Sequence, residues 1–176
     1  MVRIIMHGCN GHMGQVISGL VEQDPEAEIV AGIDIADQGK NSYPVFTDMK
    51  ECQVEADAII DFSSAKAVDA LLDYSAQRQI PVVVCTTGLS EEQLAKIEET
   101  SKKVAVLKSA NMALGINTLM KLIQDAARVL ATAGFDMLLK MMMAVATPMM
   151  TNIRHGPIAS FHFMASAMIG GITQQM

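Results

Sequence analysis

Two spacings of apolar residues alternate along residues 1 to 136. Short runs rich in β-branched side chains occupy 2–7 (VRIIMH), 26–35 (EAEIVAGIDI), 54–62 (VEADAIIDF), 80–88 (IPVVVCTTG) and 103–109 (KVAVLKS). Each is too short for a helix and predicts a buried strand. Between them the apolar positions return every three or four residues. This pattern predicts helices over 12–22, over 63–79 with Val68, Leu71, Leu72 and Tyr74 on one face, over 90–103, and over a long stretch from Ala113 closed by Gly134. Ser63 or Ser64 caps the second helix, and Ser90 the third, whose Glu91 and Glu92 lie at the positive end and whose Lys102 and Lys103 lie at the negative end. DQGKNSYP (37–44) is turn chemistry. Val82 to Val84, apolar on both faces, belong in a parallel sheet, and strands alternating with helices predict an α/β fold with a doubly wound parallel sheet.

The turn after the first strand narrows the reading. In GCNGHMG, Gly8, Gly11 and Gly14 stand three apart where the chain must reverse and enter a helix. Such a turn lets backbone approach a pyrophosphate, and the helix behind it offers unpaired N–H groups and a positive dipole end. Asp34 lies 20 residues beyond Gly14, at the end of the second strand, where an acid accepts hydrogen bonds from the adenine ribose. No Lys or Arg follows it before Lys40, so NADH is preferred over NADPH. Three further strand ends, DFSS (61–64), CTTG (85–88) and SANM (109–112), converge on the same crevice and form the walls of a nicotinamide site. The fold is therefore Rossmann-type. His7 and His12 flank the turn without a further ligand at metal spacing, and they read as loop residues.

Composition changes this picture at one end. The chain has 176 residues, 51% of them hydrophobic, with a net charge of −6, which leaves no electrostatic footprint for nucleic acid. The odd set Cys9, Cys52 and Cys85 fits a reduced, cytoplasmic protein with no metal site. No run reads as a signal peptide or a membrane span. Residues 1 to 136 hold all 19 acidic groups and 11 of the 13 basic ones. Residues 137–176 hold Lys140, Arg154, no acid, and nine of the 15 methionines. This divides the chain into a dinucleotide-binding domain over 1–130 and a reduced or altered substrate or oligomerisation segment over 131–176, a short appendage with strand-like stretches. Its methionines read as packing or interface surface, and an apolar segment this poor in charge predicts a homo-oligomer.

HGCNGHMG, GIDI, DFSSAKAV, VVVCTTGLSEEQ and SANMALGINTLMKL follow one another as in the 4-hydroxy-tetrahydrodipicolinate reductase family of lysine biosynthesis, and up to residue 136 the chain resembles that family. The resemblance implies that Gly8, Cys9, Asn10, Gly11, His12 and Met13 hold the pyrophosphate and that Asp34 holds the adenosine ribose. It implies further that Cys85, Thr86 and Thr87, with Ser109, Ala110, Asn111 and Met112, line the nicotinamide end. The family transfers a hydride from NADH or NADPH to a cyclic imine-type dicarboxylate and usually assembles as a tetramer.

Family members continue from an AGFD-like segment into a stretch of the form E-x-H-H-x-x-K-x-D-x-P-S-G-T-A, which supplies the proton donor and grips the carboxylates. Here AGFD (133–136) runs into MLLKMMMAVATPMM (137–150), and the chain is shorter than family members. An echo of a family stretch of the form R-G-G-T-x-x-G-x-H stands in RHGPIASFH (154–162), with Arg154, Gly156, Ile158 and His162 at its spacing. A buried dicarboxylate needs several cations or donors, so no catalytic residue is assigned. Alternatives to the reductase are an NAD(H)-binding module without catalysis and an engineered or fragmentary domain.

Overall fold

The structure is a computed structural model that describes residues 1–111 and 114–132. Met112, Gly134 and the segment expected to follow the dinucleotide-binding domain, with Lys140, Arg154, His155 and His162, lie outside the described residues.

The expected alternation of strands and helices is present. The order is β1 (Val2–His7), α1 (His12–Val21), β2 (Ala27–Ile33), β3 (Val45–Phe46), a single 3-10 turn at Met49–Glu51, β4 (Ala58–Asp61), α2 (Ala65–Arg78), β5 (Val82–Val84), α3 (Glu91–Ser101), β6 (Val106–Lys108) and α4 (Leu114–Thr132). All neighbouring strands pair in parallel, in the order β3-β2-β1-β4-β5-β6. The chain thus builds outward from β1 in one direction, returns, and builds outward from β4 in the other. The crevice where the order reverses, beyond the carboxyl ends of β1 and β4, is where doubly wound sheets take ligands.

Strand alternation sorts the side chains onto two faces. Ile5, Ile59, Val82 and Val84 enter the larger core, against Val68, Leu71 and Leu72 of α2 and Ile97 of α3. Ile4, Met6, Ile60 and Val83 point the other way, against Ile17 of α1. A register shift between Ile4 and Ile5 leaves Val30 as an extra residue in β2, after which Ala31 lies opposite Ile5 and Gly32 opposite Met6. The α3 helix begins with a reciprocal cap: Gln93 N–H donates to Ser90 Oγ, and Ser90 N–H donates to Gln93 Oε1.

Two expectations change and one short strand is added. The strand expected over 80–88 is hydrogen-bonded as sheet only from Val82 to Val84, although Cys85 and Thr86 stay buried. The turn region 37–44 leads into the two-residue strand β3. Ser64 occupies the N-cap position of α2, but no side-chain cap bond forms there, and the Ser63 hydroxyl is spent on Asp61 instead. The α4 helix buries Ala127 and leaves Leu119, Leu122 and Val129 exposed. No helix among the described residues is long and apolar enough to cross a membrane.

Candidate functional site

The glycine turn is held by backbone geometry that side chains would destroy. Gly8 N–H donates to Ile33 O at 2.8 Å, which fastens the turn to the end of β2. Its φ of +81° lies in the left-handed region, and a Cβ there would stand 2.5 Å from Phe62 O. A Cβ on Gly14 would stand 2.2 Å from Gly8 O, so α1 packs directly on the turn. Gly11 is the N-cap of α1 and no side-chain cap bond forms there, which leaves the positive end of the helix to a ligand.

Asp34 closes this turn from the neighbouring strand. Its Oδ2 accepts from Asn10 N–H at 2.8 Å and its Oδ1 from Ile35 N–H at 2.7 Å. The Asn10 side chain donates to Ala36 O at 2.7 Å and accepts from Asn41 Nδ2 at 2.9 Å. Gln15 Nε2 lies 2.8 Å from both Asn41 Oδ1 and Cys9 O. Over this network opens a cavity of about 720 Å³, whose lining includes Gly8, Asn10, Gly11, Asp34, Phe62 and Ser63. His12 is exposed and Met13 half-buried on the first turn of α1. The Cys9 side chain is buried in the smaller core. Burial, with the Asp34 charge second, pushes its thiol up to about 11.

The other wall centres on Asp61, which has no exposed surface. Its Oδ1 accepts from Ser63 Oγ at 2.6 Å and from Ser63 N–H at 3.2 Å, and its Oδ2 accepts from Thr86 Oγ1 at 2.7 Å. His7 Nδ1 lies 2.8 Å from Oδ1 without hydrogen-bond alignment, a close polar contact between register partners on adjacent strands. Burial pushes the Asp61 carboxyl up, but His7, Ser63 and Thr86 together outweigh it and hold the group below its ordinary value. His7 is therefore the buried last residue of β1 and not a loop residue, and His12 opens α1.

The remaining predicted residues sit at the ends of β5 and β6, away from the lining of that cavity. Cys85 is buried, with burial and then Asp61 pushing its thiol up to about 12. Thr87 and Ala110 are exposed. Ser109 N–H donates to Val84 O at 3.0 Å and its hydroxyl to Asn111 O at 3.0 Å, while Asn117 Nδ2 donates to the same carbonyl at 3.1 Å. Phe62 and Ser63, within the DFSS wall expected from the sequence, line the cavity, and so does His7, which the sequence reading placed in a loop. Their signal is position, each at or just past the carboxyl end of a strand flanking the reversal.

Residues 2–112 match the family model for dihydrodipicolinate reductase, N-terminus. The chain belongs to this family. It is 50% identical over 140 residues to the 4-hydroxy-tetrahydrodipicolinate reductase of Caldanaerobacter subterraneus, an alignment covering 77% of this chain and 53% of that relative. It is 46% identical over 130 residues to the enzyme of the same name from Clostridium novyi, covering 74% and 52%. The chain thus spans about half the length of the curated relatives it matches. Dipicolinate-bound dihydrodipicolinate reductase from Paenisporosarcina sp. TG-14 shares the fold with a TM-score of 0.60 at 20% identity, over 89% of this chain and 70% of that one. The WlbA dehydrogenase of Bordetella pertussis, in complex with NADH and UDP-GlcNAcA, aligns with a TM-score of 0.58 at 17% identity, over 73% and 40%.

Proposed function

We propose that this chain is the NADH-binding part of a 4-hydroxy-tetrahydrodipicolinate reductase. The observation that carries the reading is the glycine turn bound to Asp34 beneath the cavity, a turn packed so closely that Cβ atoms on Gly8 and Gly14 would strike backbone. The nicotinamide supplies the hydride for reduction of a cyclic imine-type dicarboxylate. Gly8 to Met13 and the N-terminus of α1 hold the pyrophosphate. Asp34 keeps lone pairs free beyond its two backbone bonds, and these accept the adenosine ribose hydroxyls. Cys85 to Thr87 and Ser109 to Met112 border the nicotinamide end. Cys9 and Cys85 take part through backbone, since their side chains are buried.

The same cavity supports preference for NADH. Among the described residues its lining contains Asp34 and Asp48 and neither Lys nor Arg. A 2′-phosphate placed there meets two carboxylates and no cation. Fluorescence titration with NADH and NADPH tests this, with NADH expected to bind at least about tenfold tighter. Equal binding would remove the preference, and binding of neither would remove the function. Substrate-dependent NADH oxidation at 340 nm, with substrate made in situ, tests the reductase itself. The exposed Leu119, Leu122 and Val129 of α4 support self-association, which sedimentation equilibrium measures directly.

A further inference from the structure

The buried Asp61 carboxylate does more than join strands. A carboxylate only accepts hydrogen bonds, so each hydroxyl that faces it must donate. Ser63 Oγ gives its single hydrogen to Oδ1 at 2.6 Å, and the 3.5 Å approach to Ser64 O is too long to compete. Thr86 Oγ1 gives its hydrogen to Oδ2 at 2.7 Å. Neither hydroxyl then has a hydrogen left for a ligand, and Ser63, the one of the two that lines the cavity, presents only lone pairs to it, while Thr86 is buried behind the carboxylate. Ser63 stands against the glycine turn, where a Cβ on Gly8 would lie 3.0 Å from Ser63 N, and it lines the cavity. Thr86 stands beside it at the end of β5, through the shared carboxylate.

We infer that Asp61 is a positioning residue that makes the Ser63 wall of the crevice acceptor-only, by holding the Ser63 hydroxyl as a donor to itself, with the buried Thr86 hydroxyl as the second donor that fixes the carboxylate. The wall then selects a neutral O–H or N–H donor at the nicotinamide end of the dinucleotide and disfavours an anionic oxygen there. The inference rests on the dinucleotide-binding reading. Two ligand groups have this chemistry, a hydroxyl of the second ribose and the amide N–H of the carboxamide. Asp61→Asn keeps the shape but places N–H donors behind the wall. One hydroxyl must then turn its hydrogen outward.

The test is titration of the full chain with three ligands that extend stepwise along the dinucleotide: ADP, ADP-ribose and NADH. ADP reaches only the adenosine end, so it reports damage to the fold. With Asp61→Asn, ADP is expected to bind within about twofold of wild type, while NADH weakens about tenfold. ADP-ribose weakening in step with NADH makes the donor the second ribose; ADP-ribose unchanged makes it the carboxamide. Thr86→Val and Ser63→Ala keep the test open should the Asn variant not fold. Each should weaken NADH and spare ADP, and Thr86→Ser should restore wild-type binding. Equal weakening of ADP and NADH, or no change in either, overturns the inference and leaves the cofactor reading standing. Failure of the wild-type chain to bind ADP and NADH overturns that reading instead.

Discussion

The backbone N–H of Asn10 donates to the carboxylate of Asp34 at 2.8 Å, across 24 positions of sequence. The acid proposed to serve the ribose is thus also hydrogen-bonded to the turn proposed to hold the pyrophosphate. On that reading, one hydrogen bond joins the two halves of the proposed adenosine-diphosphate site. Because Ile35 N–H takes the other oxygen, the carboxylate is fixed in orientation as well as position.

Asp34→Ala is therefore expected to damage both subsites at once. Hydrogen bonds to a charged group contribute about 1.5–3 kcal/mol each, so NADH affinity should fall roughly tenfold to a hundredfold. ADP affinity, read by calorimetry, should fall by the same factor. A loss confined to NADH would show that Asp34 does not organise the adenosine end.

Two glycines of α1 should respond oppositely to the same change. A Cβ at Gly14 meets Gly8 O at 2.2 Å and Cys9 Cα at 2.7 Å, all backbone, so Gly14→Ala must push the helix off the turn. The expected cost is at least about 1–3 kcal/mol, with loss of NADH binding. A Cβ at Gly19 meets nothing within 4 Å, and Gly19→Ala should stabilise the protein by about 0.5–1 kcal/mol through helix propensity. Thermal melts of the two variants give the comparison.

What could be read from sequence here was what local pattern controls. The runs around Ile59 and Val83 announce strands because buried parallel strands need uninterrupted apolar side chains. Ser90 and Gln93 announce a helix start because both partners of the cap lie within one turn. Asp34 was legible through its distance from the glycine turn. Val45 and Phe46 form a strand only because β2 presents Gly32 and Ile33 to them, and nothing within two residues encodes that. His7 and Asp61 meet through the register of β1 with β4, 54 positions apart, so a histidine beside a glycine turn looked like loop. The separation of Thr86 from the cavity over Asp34 depends likewise on where β5 ends in three dimensions.

The cysteines should be chemically silent in the native protein. All three are buried and unpaired, and burial pushes Cys9 up to about 11 and Cys85 up to about 12, with Asp34 and Asp61 adding to it. At pH 8 both remain neutral thiols, poor nucleophiles as well as inaccessible ones. Ellman's reagent should react with none of the three on mixing, and with all three in denaturant. Fast native reaction at Cys9 would mean that the turn over it opens.

Acid should destabilise the fold through Asp61. Burial raises this carboxyl, the contacts from His7, Ser63 and Thr86 more than offset it, and the net value in the folded state is below the ordinary 3.8. A group depressed by folding contributes stability that is present above its unfolded value and is lost as pH falls through the folded one. The melting temperature of the wild type should therefore fall once pH drops below about 4. His7 and Cys85 are the titratable groups that face Asp61, and Cys85 stays neutral throughout this range. Asp57 is also depressed, first by its hydrogen bond from Arg3, but that pair is more than a third exposed and its share is screened. Asp61→Asn should accordingly melt lower than wild type at pH 7 and show a shallower decline toward pH 3. An unchanged acid limb in this variant would place the acid sensitivity at other carboxylates and leave Asp61 without a net stabilising charge.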